Sequence, residues 1–202
     1  MAGALEAGWP AGTPGSAPGG DIVPSRLAAR LAPGLAAATA ARLLASPRLG
    51  PRVLRWATDG ADEAMHALRF DDRLLAQSGP DGVRRVASLA GAIWHAGRVR
   101  SLILARDLQS FIDLYGLDAR VLALRHAALA PPPEEAGSAH LPLADAVARD
   151  GRACLSAWLD ALPPAAAAAV RLSLPEEDEA RPGPAHRARG PGLVRAASEV
   201  LA

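Results

Sequence analysis

The sequence contains no lysine and no asparagine, a single cysteine, and seven aromatic residues in 202 positions. Each shortage excludes something. One cysteine, Cys154, cannot close an internal disulfide, so a disulfide-stapled secreted fold is ruled out. Without lysine no GxxxxGK[ST] phosphate loop can exist; no GxGxxG opens a helix after a strand, and no GxSxG elbow occurs. The longest uncharged interior runs, residues 31–41 and 86–97, fall far short of the ~20 residues needed to span a bilayer. Residues 1–20 carry Glu6, no basic residue and Pro10, Pro14 and Pro18, which is not the pattern of a secretory signal. β-Branched and aromatic residues are too scarce, and too rarely alternate with polar ones, to build a sheet.

What remains is alanine, leucine and arginine. Alanine takes 48 positions, and all 22 basic residues are arginine against 21 Asp plus Glu. A net charge of +1 provides no global field for nucleic acid or an anionic bilayer, so such binding would need a local patch. The composition points to a soluble, helical, intracellular protein large enough for one domain with a real core.

Punctuation divides the chain. Residues 1–20, rich in Gly, Pro and Ala, are expected to be disordered. Residues 21–175 form the expected helical domain, interrupted at 131–140 (PPPEEAGSAH) by a proline-rich internal loop. Residues 176–202 read as a flexible charged tail with a short terminal helix. Within the domain, Gly50-Pro51 opens a helix and Asp59–Arg69 forms another. Residues 81 to about 105 read as the longest helix, with Val83, Val86, Ala90, Ile93 and Gly97 on one face. Leu108, Phe111, Ile112 and Tyr115 line the next helix, stopped by Gly116. Asp118 is placed to cap a helix whose buried stripe is Val121, Leu122, Leu124 and Ala128. Leu143–Leu162 contributes Val147, Cys154, Leu155, Trp158 and Leu159. The expectation is an all-α fold of seven to nine short helices, packed through Trp94, Ile103, Phe111, Leu122 and Trp158.

Chemistry is hard to find in this pattern. The five histidines fall in no HxxxH or HExxH spacing, so neither a metal nor another cofactor is expected. Glu134-Glu135, Asp71-Asp72 and the acids of 176–179 read as solvated surface, and Cys154 as a small buried residue. His95 reads as a core-edge or surface histidine. Between Asp81 and Arg106, Arg84, Arg85, Arg98, Arg100 and Arg106 are set against Asp81 alone. They admit three readings: a solvated face, a docking surface for an acidic partner, or a phosphate-binding patch. The last would make the chain a small nucleic-acid-associated or transcriptional regulator.

Two segments, GVRRVASLAGAIWHAGRVRSLILARDLQSFIDLYGLDARVLAL (82–124) and GRACLSAWLDALPPAAAAAVRLSLP (151–175), resemble the SctK (YscK-type) family of type III secretion accessory proteins. The shared features are an apolar helix running through arginines to a leucine-rich helix and a break, here Tyr115-Gly116. A Leu/Trp helix, a proline stop and an R-L-x-L-P ending follow, here Leu155, Trp158, Leu159, Pro163, then Arg171, Leu172, Leu174 and Pro175. The resemblance implies a non-enzymatic cytoplasmic adaptor, recruited to the cytosolic face of the inner membrane. Its partners would be the inner-membrane ring protein SctD and the sorting-platform pod protein SctQ, with SctL and the ATPase below.

Overall fold

Ala-rich helices pack closely because their side chains hold neighbours apart so little, and the centre of this protein uses that property. A computed structural model describes residues 22–132 and 140–201. Among them are twelve α-helices and no strand: α1 Pro24–Leu31, α2 Ala37–Ala45, α3 Gly50–Ala57, α4 Ala61–His66, α5 Phe70–Gln77, α6 Gly79–Trp94, α7 Ala96–Arg100, α8 Ala105–Tyr115, α9 Leu117–Arg125, α10 Leu143–Ala161, α11 Pro164–Ser173 and α12 Pro184–Ala197. The fold is all-α. Residues 1–20 and most of the 131–140 loop lie outside the described residues.

Helices α6, α10 and α12 pack on one another to form the centre. A Cβ on Gly91 would collide with the Val147 carbonyl, and one on Gly151 with the Ala87 carbonyl. The α6 and α10 backbones are therefore nearly in contact, which only glycine permits. Gly190 of α12 lies against α10 in the same manner, its Cβ position 3.1 Å from Cys154 Cα and from Ala157 Cβ. Around these contacts Leu89, Ile93, Trp94, Leu155, Trp158, Leu159, Leu174 and Leu193 lose essentially all exposure. A second, smaller core joins Leu27, Ala28, Ala40 and Ala57 of α1–α3 to Leu172 of α11.

Several expectations are corrected. The charged tail is not free. Residues 184–197 form α12, which runs through Pro191 and buries Leu193, Val194 and Ala197. The helix tolerates an internal proline because Gly190 lets it approach α10 and the buried apolar side chains offset the missing hydrogen bond. The long helix expected over 81–105 divides at His95, whose backbone leaves the helical region and whose ring is held by Asp150. This break, the unexpected helix α5 and the tail helix α12 raise the count above nine. Ile103 is not core: it lies between α7 and α8, 89% exposed. Helix α9 buries Ala119, Leu122 and Ala123 rather than Val121 and Leu124, and Gly116 rather than Asp118 occupies its cap position.

Candidate docking surfaces

The five arginines singled out by sequence are dispersed. Arg84 pairs with Asp81 at 2.8 Å and lies 3.8 Å from Asp178. Arg85 pairs with Asp118 at 2.7 Å across the surface. Arg98 is half-buried and donates to the Leu141 carbonyl at 2.8 Å, so it ties α7 to the start of α10. Arg100 ends α7 exposed, and Arg106, near the start of α8, meets Asp107 at 3.3 Å. Arg84 and Arg85 thus serve the α6 neighbourhood, whereas Arg100 and Arg106 flank the short exposed connection carrying Ile103 and Leu104.

The residues that carried the family resemblance are structural. The Tyr115 hydroxyl donates to the Ala144 carbonyl at 2.7 Å, and the ring packs on Phe111 at a 5.2 Å centroid distance. Burial raises that hydroxyl's pKa, with the Asp145 charge adding to the effect. Gly116 turns the chain with φ +83°, a region that side chains with Cβ rarely adopt. Leu155, Trp158 and Leu159 are buried on α10. Pro163 and Pro164 start α11, and Leu172 and Leu174 are buried at its end, before Pro175. Arg171 bridges Asp160 at 2.7 Å and Glu179 at 2.9 Å, closing the α10–α11 turn.

Two buried carboxylates pair within the core, whereas Trp94 Nε1 meets no acceptor among the described residues. Asp150 on α10 accepts from His95 Nε2 at 2.8 Å and from Arg149, while His186 of α12 lies 3.4 Å away and stacks on Trp94 at 4.1 Å. One carboxylate therefore links all three central helices. Asp72, read from sequence as a solvated acid, is 3% exposed; it accepts from Trp158 Nε1 at 2.8 Å and from Arg195 at 2.9 Å. The signal missed in both cases was long-range pairing, which spacing along the chain does not encode. Burial, with the Asp150 charge adding, pushes the Cys154 thiol far above its ordinary range and keeps it protonated. Desolvation raises the Asp178 carboxyl, against the pull of Arg84. No three His, Cys, Asp or Glu side chains among the described residues gather as a metal site, and no described helix is long and apolar enough to cross a membrane.

Two surfaces do stand out. Leu117, Val121 and Leu124 of α9 are each 43–58% exposed, and Leu114, at the end of α8, is 67% exposed. Their spacing of three and four puts the α9 trio on one helical face. They form an apolar stripe because α9 buries the opposite face, Ala119, Leu122 and Ala123. The other surface is an apolar groove of about 480 Å³ between α2 and α3.

The fold and these surfaces define an all-α protein with a small-residue core and unpaired apolar helix faces. The chain is 36% identical over 153 residues to the nodulation protein NolU of Rhizobium fredii, covering 72% of this chain and 67% of that protein. It is 37% identical over the same length to NolU of Sinorhizobium fredii (strain NBRC 101917 / NGR234). It belongs to the NolU family of nodulation proteins. No family model matches the chain, and no solved structure does.

Proposed function

We propose that this protein is a non-enzymatic adaptor of a bacterial type III secretion apparatus, acting in the cytoplasm at the inner membrane. In this reading it is of the SctK kind. It joins the cytosolic part of the ring protein SctD to the pod protein SctQ, with SctL and the ATPase beneath. The observation that carries the docking role is the exposed Leu117, Val121 and Leu124 face of α9, with exposed Leu114 ending α8 just before it. It lies within the 82–124 segment that resembles SctK proteins, on a body whose buried carboxylates Asp72 and Asp150 are already paired. Contiguous exposed leucine on a helix invites a partner surface. Arg100 and Arg106, on either side of exposed Ile103 and Leu104, supply charge that steers encounter with an acidic partner. The absence of any function beyond binding belongs to the same proposal; the buried His95–Asp150–His186 set supports it because it faces the core rather than a cleft.

The test is a Leu117→Glu/Val121→Glu double variant expressed in the native bacterium. Ring and pod proteins should no longer co-purify with it and secretion should fail, while the thermal midpoint of the purified chain stays close to the parent. Normal secretion with normal recovery of both partners would sink the proposal. Salt-dependent binding of a DNA duplex that disappears on reversing Arg84 and Arg85 would favour a regulator instead.

A further inference from the structure

One long stretch of the chain carries positive charge and no acid. Between Ile22 and Thr58 there are six arginines, Arg26, Arg30, Arg42, Arg48, Arg52 and Arg55, and no Asp or Glu; all 21 acids lie elsewhere. Among the described residues, Arg26 alone of the six is tied to a carboxylate, Glu179, and Arg42 reaches Thr39 Oγ1. Arg30, Arg48, Arg52 and Arg55 meet no carboxylate among the described residues. The groove between α2 and α3 lies within this acid-free stretch. Ile22, Leu44, Pro47, Pro51 and Leu54 form its apolar walls, and Arg55 stands among them. Trp56 and Leu49 on the same helix and its approach are 55% and 44% exposed.

We propose that this groove receives the apolar face of an acidic amphipathic helix from a protein partner, a site separate from the α8–α9 face and a step beyond the adaptor reading. An apolar trough desolvates aliphatic anchors spaced three and four residues apart, the mode by which a groove takes up a helix. The Arg55 guanidinium in its wall, which meets no carboxylate among the described residues, favours a partner carrying Asp and Glu on its solvent side, and Arg binds carboxylates bidentately. The observations favour this occupant over two others. A lipid surface is bound by apolar groups that protrude, not by a concavity, and a phosphate backbone makes no use of an apolar floor.

The probe is a fluorescently labelled synthetic helix of about 16 residues, long enough for four turns, with Leu at i, i+3, i+4 and i+7 and Glu at outward positions. Its anisotropy is titrated with the full chain at low and raised salt, beside a version with Lys for Glu and a scrambled version. The acidic helix should bind, weaken with salt, and protect α2 and α3 amides from hydrogen exchange; the Lys version and the Arg55→Glu variant should each lose about tenfold or more. Equal binding of the three peptides, no binding, or protection mapped to α8–α9 would overturn the proposal. So would tighter binding of phosphatidylglycerol vesicles or duplex DNA to the same helices. Protection already present without peptide and lost on deleting residues 1–21 would show the chain's own segment as occupant, and would also overturn it. The assay contains no secretion component, so failure of the adaptor reading in the Leu117→Glu/Val121→Glu test leaves its result unchanged.

Discussion

Trp158 combines two contributions that are separable by mutation. Its indole is fully buried among α6, α10 and α12, and its Nε1 donates to Asp72, which also holds Arg195. Trp158→Ala removes the packing and one of the donors to Asp72, so a loss of ~3–5 kcal/mol is expected, read as a lower urea midpoint. An unchanged midpoint would contradict the burial. Trp158→Phe keeps most of the packing and isolates the hydrogen bond; it should cost less. Cys154 offers a second residue-scale test. Its thiol is buried and its pKa is pushed upward by burial, so it stays neutral and out of reach. At pH 8 a thiol reagent should label it only as fast as the protein opens, and labelling should accelerate in step with added denaturant. Rapid labelling without denaturant would place the sulfur at the surface.

At the scale of elements, glycine decides how closely helices approach. Gly151→Ala would gain up to ~1 kcal/mol of helix propensity. The new methyl, however, meets the Ala87 carbonyl of α6, and such overpacking costs ~1–3 kcal/mol. The steric term should win, and the thermal midpoint should fall. Gly97→Ala on α7 is the control, since nothing lies within 4 Å of its Cβ position. There the propensity gain should stand alone and the midpoint hold or rise. Helix α12 makes a bolder test, because its sequence reads as a mobile tail while its Leu193, Val194 and Ala197 belong to the main core. Truncation after residue 183 should abolish cooperative unfolding; a shortened chain that still melts sharply would show α12 to be dispensable.

For the whole molecule, charge and apolar surface are distributed unevenly, and their costs differ. Reversing Arg84, Arg85, Arg100 or Arg106 to Glu alters exposed or surface-paired groups, so each should shift stability by no more than about 0.5 kcal/mol. Arg98→Glu should cost more, about 1–3 kcal/mol, because the Leu141 carbonyl loses its donor. Differential scanning calorimetry of the five variants would show four near the parent and one below it. If all five fall together, the arginines act as one structural network.

The all-α class was legible in the sequence because helix periodicity, alanine content and the scarcity of β-formers are local properties. So were the burial of Trp94, Phe111, Leu122, Cys154, Leu155 and Trp158 and the turn at Gly116, each set by a nearby pattern. Which face of α9 would be buried was not legible. Val121 and Leu124 are as apolar as Leu122, yet α9 buries the face on which Leu122 stands with Ala119 and Ala123. Equally hidden were the exposure of Ile103, the carboxylate links from Asp150 and Asp72, and the folding of the Pro191 segment. The carboxylate links depend on partners dozens of residues away: Asp150 lies 55 positions from His95, and Asp72 lies 86 from Trp158. Sequence determined which helices could form and which side chains sought burial. Tertiary structure decided which of those side chains found it, because close helix contact admits only the faces whose glycine and alanine leave room.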